Sequence, residues 1–451
     1  MNEAGRVVSV FSAAVLATVV IAATALYANI NKPIWIDEFL HFAFGAYGST
    51  GEAWRVITAS INSINFNQTG VYMIVDFWLL KIFGASAFWL RAPSILGGLL
   101  LFAGAICVLR AKRFNLLWQI TIVLLLMRQS NVSTFIGEAR PYMPLAGCAV
   151  FTLAYYLTPP VEQNLFFKVC GVLAVCIGSS MHPYFLFYYC AIIALTYCDA
   201  ISWNWRNCSV RGISRHCKPA LFAAALCIYF NIGALTWIPR QPTLSFDPFQ
   251  WIKAEALLGV GIYTHFEFFL GPNALPLWLR MVFATIIFCT IVILIIVSPR
   301  LRPALATPLA LVIGSLVLSA LLSMMSYRSH YWILQRQWIA SVALTCIGSV
   351  WLCAAIANAM PTRARMAAIA LVSAFALLRG EQAARQQIDK IAQWRLEQAE
   401  LARVPAEQIA RDRGSTKPEE FVSLANQNIR SGGPVWPLFM KYYAQAGVSG
   451  N

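Results

Sequence analysis

The chain has 451 residues, of which 59% are hydrophobic, 13% aromatic and 12% charged. An ordinary soluble domain is about 45–50% apolar and about 25% charged, so this composition excludes most soluble folds. A mean hydropathy of +0.64 excludes intrinsic disorder as well. The net charge of +15 lies largely in short loops between apolar runs, where basic residues set membrane topology, and so indicates no nucleic-acid partner. The sequence predicts an all-α polytopic integral membrane protein.

Eleven apolar stretches, each close to the length of a membrane span, follow one another along the chain. The first has no small-residue cleavage site followed by a soluble domain, so we interpret it as a retained span and not as a signal peptide. A further apolar stretch at 71–83 contains Asp76 and Lys81 and is short, which predicts an interfacial helix. We therefore expect about 11 transmembrane helices, with bounds of about 10 and 13, and interfacial helices on the outer face. The eleven stretches are 8–28, 90–109, 115–128, 141–157, 165–181, 183–199, 219–237, 281–298, 308–326, 337–359 and 366–379.

The charges predict the sidedness of these spans. With the amino terminus in the cytoplasm and the 71–83 helix kept outside, the inner loops hold twelve basic residues and few acids, as the positive-inside rule requires. Eight of the eleven acids that precede residue 380 then lie in outer loops. Two outer loops are long, the first at 29–89 and a second at 238–280. The second is rich in proline and aromatic residues, which is typical of a lid over a membrane-embedded substrate site.

The last part of the chain differs from the rest. Nine basic and eight acidic side chains lie in 380–451, so we expect a transmembrane domain at 1–379 followed by a polar, water-exposed tail. The apolar positions Ile388, Ile391, Trp394, Leu396 and Leu401 predict a small amphipathic helix in this tail. The 12 cysteines are scattered without a C-x-x-C pair, and the sequence has no P-loop, dinucleotide fingerprint or H-E-x-x-H. No nucleotide or redox cofactor is therefore expected.

An acidic pair follows the first span. Asp37 and Glu38 are flanked by apolar side chains, among them Ile36 and Phe39. Desolvation at a membrane interface raises the pKa of a carboxylate and makes it a usable base. The alternative is an ordinary helix start, with the acids near the positive end of the helix dipole.

Further polar residues lie at the outer ends of later spans. An arginine there suits bidentate phosphate binding, or it simply reaches lipid phosphate at the membrane surface. An acid and an arginine two residues apart before the fourth span can both face one cavity if that loop is extended. The last outer loop combines two arginines and a histidine with aromatics, which is equally typical of an interfacial belt. These candidates are Arg91, Glu138, Arg140, Tyr142, His182, Arg328, His330 and Arg336.

The order of these motifs resembles the membrane glycosyltransferases of the GT-C class, above all the bacterial branch related to protein O-mannosyltransferases and to the lipid A aminoarabinose transferase. The resemblance rests on the acidic pair at 37–38, the apolar helix ending at 83–84, and the sequences WLRAPS at 89–94, EARPY at 138–142 and HPY at 182–184. It covers residues 8–200. Many members carry a proline pair before the interfacial helix, where this chain has FNQTG at 66–70.

The resemblance implies inverting transfer of a sugar from a polyprenyl-phosphate donor to a lipid, glycan or protein acceptor, at the outer face of a bacterial inner membrane. Asp37 inherits the catalytic role at the acceptor, with Glu38 beside it and Glu138 as a second acid. Asp37 and Glu138 are also the implied ligands of a divalent metal, Mg or Mn, where one is used. A monomer is the default. The residues implied at donor phosphate or acceptor are Arg91, Arg140, Tyr142, His182, Arg328, His330 and Arg336.

Two other classes stay open. A transporter or flippase of a lipid-linked or small polar substrate would also carry charges in its membrane domain. Transporters commonly show internal repeats, whereas no repeat is visible in this sequence and its unusual charges cluster at one face. The third class is an accessory membrane subunit whose tail recruits a partner.

Overall fold

A computed structural model describes residues 48–60, 70–84, 87–204, 208–237, 261–270, 302–329 and 338–401, together with single positions that include Glu38 and His41. The regular elements in these ranges are all helices, which confirms the all-α prediction for this part of the chain. They are α1 Thr50–Ser60, α2 Gly70–Phe83, α3 Ala87–Ala111, α4 Leu116–Arg128, α5 Ser130–Phe135, α6 Tyr142–Leu157, α7 Leu165–Met181, α8 Phe185–Ala200, α9 Val210–Trp237, α10 Glu267–Leu270, α11 Arg302–Ser329, α12 Ile339–Ala359 and α13 Thr362–Leu401.

Four of the described helices are long and apolar enough to cross a membrane, at Phe88–Ala111, Ala304–Met324, Ile339–Ala359 and Thr362–Gln386. Shorter apolar helices occupy the predicted spans at 115–128, 141–157, 165–181, 183–199 and 219–237. The predicted spans 8–28 and 281–298 lie outside the described residues except for single positions. The count of about 11 spans therefore stays a prediction.

Several helices are longer than the apolar stretches that predicted them. Helix α9 begins at Val210, well before the predicted start at 219, and α13 continues to Leu401 without a break at 380. Alanine, arginine, glutamine and glutamate are good helix formers, so a helix can continue into water beyond its apolar part. Hydropathy therefore located the apolar part of each helix and not its ends.

The core of the bundle lies around α6 and α12. In the span of α12, 83% of the residues are buried, and this helix contacts α4, α6 and α11. Helices α7 and α8 pack on α6, and α13 packs on α4. Since hydrocarbon chains solvate apolar side chains as well as another helix does, this association depends on close packing.

Helices α3 and α6 pack with their backbones in contact. A Cβ on Gly97 would lie 2.5 Å from the Pro144 nitrogen, and a Cβ on Gly147 would lie 2.2 Å from the Gly97 carbonyl oxygen. Further along, a Cβ on Gly104 would lie 2.8 Å from the Phe151 nitrogen. Small residues allow this approach, as they do at many helix interfaces in membranes. The pair forms a fixed centre that positions the loops at both ends of the bundle.

Short connections between consecutive helices define two ends of the bundle. Asn115 and Asn164 cap α4 and α7 by accepting hydrogen bonds from Trp118 N at 3.3 Å and Phe167 N at 2.8 Å. Helices joined by short loops run antiparallel, so the loops 112–115 and 158–164 lie together at what we call the basic end. The loops 129–141 and 182–184 lie at the opposite end, which we call the polar end.

One partly buried network ties helices together at the basic end. Asp199 accepts hydrogen bonds from Lys112 Nζ and Thr307 Oγ1, both at 2.7 Å. Trp203 Nε1 donates to Thr307 Oγ1 at 2.9 Å. These contacts join α3, α8 and α11. The charges of Lys112 and Asp199 satisfy each other, so this network has a structural explanation.

Candidate active site

A fully buried ion pair joins the predicted first outer loop to α3 at the polar end. Arg91 donates from Nε to Glu38 Oε1 and from Nη2 to Glu38 Oε2, each at 2.8 Å. Both side chains are 0% exposed. Two parallel hydrogen bonds between a guanidinium and a carboxylate are the strongest arrangement of this kind of pair. Glu38 and Arg91 therefore hold each other in place.

The same carboxylate reaches the loop between α5 and α6. Ala139 N donates to Glu38 Oε1 at 2.9 Å. Beside it, Ser94 Oγ donates to the carbonyl oxygen of Arg140 at 2.9 Å and lies 3.3 Å from Arg140 N. The loop that carries EARPY is thus fixed against α3 through its backbone. This brings four sequence-predicted residues, Glu38, Arg91, Glu138 and Arg140, to one buried region.

A second buried pair lies next to this region. His41 Nδ1 and Asp76 Oδ2 are 2.6 Å apart, and both side chains are 0% exposed. Tyr72 packs edge-on against the His41 ring, with centroids 5.4 Å apart, and its hydroxyl lies 3.0 Å from Ser94 Oγ. His41 Nε2 and Asp76 Oδ1 have no hydrogen-bond partner among the described residues. A histidine oriented by a carboxylate in this way can accept a proton at its second ring nitrogen.

Burial controls the ionisation of groups on α2, which is too short to be a span. It raises the pKa of Asp76 to about 6, although the hydrogen bond from His41 acts in the opposite direction. It also raises the pKa of Tyr72 well above its ordinary value, and the nearby carboxylate of Asp76 adds to this effect. Tyr72 therefore stays a neutral donor, while Asp76 changes its charge close to physiological pH.

A third group of polar side chains belongs to the segment 261–270, within the long outer loop that the sequence predicts at 238–280. Glu267 Oε2 accepts hydrogen bonds from Ser130 N at 2.9 Å and Ser130 Oγ at 2.6 Å. Its other oxygen, Oε1, lies 3.7 Å from Arg128 Nη1. Gln129 Nε2 donates to the His265 carbonyl oxygen at 3.1 Å. These contacts fix the segment on the end of α4.

His182 and His265 are buried and neutral. Burial lowers the pKa of His182 to about 3 and that of His265 to about 4. His182 Nδ1 accepts a hydrogen bond from Tyr184 N at 3.2 Å, and its ring lies 5.7 Å from the Tyr142 ring. His265 Nε2 lies 2.9 Å from Ser319 Oγ. Neither histidine supplies a positive charge at this end of the bundle.

Four of the sequence-predicted site residues cannot be located. Asp37, His330 and Arg336 lie outside the described residues, and Arg328 lies in α11 without a described side chain. The proposed metal pair of Asp37 and Glu138 therefore stays a prediction. Within the described part of the chain, no group of three or more histidine, cysteine or acidic side chains is arranged to hold a metal.

Sequence reasoning missed several residues of this region. The charge of Asp76 within 71–83 predicts an interfacial helix but not a site, and His41 follows the acidic pair without a motif of its own. Arg128 was hidden as the last residue of an apolar stretch. Two features of the sequence do indicate this region: the acid within the apolar stretch 71–83 and the arginine that ends the apolar stretch 115–128. Ionisable residues in apolar segments are costly unless they are paired or functional.

No family model matches the chain, and no curated protein matches its sequence. Two solved structures are similar to it, both of ArnT from Cupriavidus metallidurans. The structure in the apo state has 13% identity and a TM-score of 0.41 over 98% of this chain and 76% of that chain. The structure bound to undecaprenyl phosphate has 16% identity and a TM-score of 0.42 over 99% and 76%.

Proposed function

We propose that the chain is a GT-C type glycosyltransferase that moves a sugar from a polyprenyl-phosphate donor to a lipid, glycan or protein acceptor at the outer face of the membrane. The observation that carries this proposal is the buried region in which Glu38, Arg91 and the EARPY loop meet. Buried ionisable side chains at one end of an apolar bundle are costly and mark a functional site by default. The sequence motifs that resemble GT-C enzymes are the ones that build it.

The contacts of Glu38 separate the roles of the two adjacent acids. Both oxygens of Glu38 bind Arg91, and one also accepts the Ala139 N–H. A carboxylate held by three donors is stabilised as an anion and is a poor proton acceptor. We therefore assign Glu38 as a positioning residue. The neighbouring acid, Asp37, is left as the residue that takes the acceptor proton.

The proposed reaction is a single displacement. The acceptor hydroxyl oxygen forms a bond to the anomeric carbon of the sugar while the bond from that carbon to the phosphate oxygen breaks. The polyprenyl phosphate leaves with the electron pair of the broken bond, and the hydroxyl proton passes to Asp37. Attack opposite to the leaving group inverts the anomeric configuration.

Negative charge grows on the phosphate as it leaves, so donors that interact with it lower the barrier more than they strengthen donor binding. Arg140, Arg328 and Arg336 are proposed for this task, and Glu138 is proposed to bind the acceptor or, with Asp37, a Mg or Mn ion. Tyr142, His182 and His330 are proposed as further contacts for donor or acceptor. Because Arg91 is engaged with Glu38, we assign it to the support of the site.

A transporter or flippase of a lipid-linked or small polar substrate is the second candidate. It is favoured by the number of ionisable side chains buried in this membrane domain. The buried charges that the structure describes lie at the polar end of the bundle. The partly buried Lys112 and Asp199 at the basic end pair with each other. A pathway through the membrane would place such groups midway along the helices. This distribution favours the enzyme.

Sugar transfer by the purified protein tests the proposal. The protein is supplied with radiolabelled polyprenyl-phosphate sugars and native membrane lipid as the acceptor source, and label in the acceptor fraction is counted. Asp37→Asn is expected to lower transfer by about 10²-fold or more, since it removes the proton acceptor. Asp199→Asn, an acid at the basic end, serves as the control and is expected to retain activity. A folded parent that consumes no donor in the panel would contradict the proposal.

A further inference from the structure

Four arginines at the polar end are buried. Arg140 belongs to the EARPY loop of the proposed site, and the other three differ in how their guanidinium groups are used. Arg91 donates hydrogen bonds from Nε and Nη2 to Glu38. Arg379 donates to the carbonyl oxygens of Phe268 and Glu267 at 3.1 and 3.2 Å, and to Gln382 Oε1 at 2.9 Å. Both are accounted for by contacts within the chain.

Arg128 is different. Its side chain is only 3% exposed, and its Nη1 lies 3.7 Å from Glu267 Oε1, which is too long for a hydrogen bond. Its Nε and Nη2 groups are buried and have no hydrogen-bond partner in the described part of the chain. A buried donor that makes no hydrogen bond costs about 1–3 kcal/mol, and more when it is charged. Such groups in a native structure call for a ligand, an ion or a water.

The vacant groups have the geometry of an anion site. Nε and Nη2 form the edge of a guanidinium that donates two parallel hydrogen bonds to two oxygens of one anion. The Glu38–Arg91 pair uses this same edge at 2.8 Å. A ligand for Arg128 therefore needs two acceptor oxygens on one negatively charged centre, as a carboxylate or a phosphate has.

The described acids nearby do not fill this edge. Glu267 has one oxygen committed to Ser130, and Glu38 and Asp76 are paired with Arg91 and His41. Glu267 also balances only part of the charge of Arg128, because their ion pair is long. The Nε and Nη2 edge of Arg128 therefore has no anionic partner among these acids.

We propose that the Nε and Nη2 edge of Arg128 binds two phosphate oxygens of the polyprenyl-phosphate donor. The inference rests on the proposed function, which supplies a phosphate at this end of the membrane domain. Glu267 holds the Arg128 guanidinium in place from its Nη1 side, while Ser130 holds Glu267. The segment 261–270 thus acts as the support of the phosphate site.

Binding of a polyprenyl monophosphate to the purified full-length protein tests this inference. Decaprenyl phosphate is titrated against the parent, Arg128→Gln, Arg128→Lys and the control Arg113→Gln, an exposed arginine at the basic end. Decaprenol without phosphate is titrated in parallel. Arg128→Gln is expected to weaken phosphate binding by about tenfold or more, with unchanged binding of the alcohol, because two charge-assisted hydrogen bonds are lost. Arg128→Lys keeps the positive charge but loses the two parallel N–H donors of the guanidinium. Its affinity for decaprenyl phosphate is expected to lie between that of the parent and that of Arg128→Gln. Arg113→Gln removes a guanidinium far from the polar end and is expected to leave phosphate affinity unchanged.

The outcomes separate this inference from the proposed function. If the parent prefers the phosphate over the alcohol and Arg128→Gln retains that preference, Arg128 is not the phosphate site, although the proposed function stands. If the parent binds decaprenyl phosphate and decaprenol equally well, the proposed use of a polyprenyl-phosphate donor is contradicted. The inference about Arg128 is then contradicted as well. If vesicles of phosphatidylglycerol displace decaprenyl phosphate from the parent at equal concentration, Arg128 binds lipid head groups and not the donor. Should Arg128→Gln fail to fold, the phosphate affinity of Arg128→Lys is compared with that of the parent. An unchanged affinity would then contradict the inference.

Discussion

At the scale of single residues, the fully buried pair of Glu38 and Arg91 joins two of the candidate motifs. Each residue was a candidate on its own, since an acid pair at an interface and an arginine at a helix mouth are both unusual. Their pairing is a tertiary contact between residues 53 positions apart, and no local pattern contains it. Because Arg91 is paired with Glu38, we propose that it supports the site, while its expected contact with the donor phosphate stays a prediction.

The buried pair predicts how its variants differ in stability. Glu38→Gln leaves the Arg91 charge buried without its counter-ion, and we expect a loss of about 3–5 kcal/mol in the free energy of unfolding. The double variant Glu38→Leu with Arg91→Met removes both charges and is expected to lose less than the single variant. Denaturation in detergent micelles measures both values. A double variant that is less stable than Glu38→Gln would contradict this account of the pair.

Asp76 predicts a pH dependence of stability. Burial raises its pKa from 3.8 to about 6, so the folded state holds the proton more tightly than the unfolded state does. Between about pH 4 and pH 6 the folded state binds more protons, and the free energy of unfolding therefore falls as pH rises, by about 3 kcal/mol in total, and levels off above that window. The groups that face Asp76 are His41, Tyr72 and Glu38.

Asp76→Asn removes this titration. Unfolding of the parent and the variant is followed from pH 4 to pH 8, and the difference between the two curves isolates Asp76 from other groups. We expect the parent to lose stability relative to the variant as pH rises through the window. A difference that is constant with pH would show that Asp76 keeps the same charge in both states.

At the scale of helices, the apolar pattern predicted where helices lie but not how they meet. Hydropathy located the apolar parts of α3, α4, α6, α7 and α8, because about 20 apolar residues are needed to cross hydrocarbon. It could not show that α3 and α6 approach through Gly97, Gly104 and Gly147, since glycines are common in membrane helices for several reasons. Hydropathy also did not predict that α13 continues beyond residue 380, because polar residues extend a helix without raising its hydropathy.

The glycine contact predicts a sharp difference between two alanine substitutions. Gly147→Ala places a Cβ 2.2 Å from the Gly97 carbonyl oxygen, so the helices must separate, and we expect a loss of about 1–3 kcal/mol in the free energy of unfolding. Gly314→Ala on α11 meets nothing within 4 Å. It is expected to leave stability unchanged or to raise it by up to about 1 kcal/mol. Thermal unfolding in detergent compares them, and equal effects would contradict the close approach of α3 and α6.

At the scale of the whole molecule, the buried and partly buried charges fall into two groups with different explanations. At the basic end, Lys112 and Asp199 satisfy each other. At the polar end, acids, arginines and histidines from distant parts of the chain meet. The sequence predicted this asymmetry from loop charge, since the acids before residue 380 concentrate in the loops placed outside. It could not predict which side chains touch, because those contacts depend on the packing of α2, α3 and α6.

The predicted orientation gives a labelling test. Val161 is 93% exposed in a loop at the basic end, and Gly51 in α1 has open space around it. A membrane-impermeant maleimide is expected to add label to Gly51→Cys in intact spheroplasts and to Val161→Cys only in inverted vesicles, each relative to the parent with its own cysteines. Positive-inside placement of the basic loops is the physical reason. The opposite pattern would place the polar end in the cytoplasm.

Covalent transfer, separated from transport, tests the central claim most directly. The protein is reconstituted in liposomes that contain an isotopically labelled polyprenyl-phosphate sugar and an extract of native membrane acceptors, and mass spectrometry follows the label. We predict an acceptor heavier by one sugar residue, together with released polyprenyl phosphate in equal amount, and loss of both products in Asp37→Asn. Intact donor that moves between the leaflets without any new sugar–acceptor bond would contradict the account and identify a flippase.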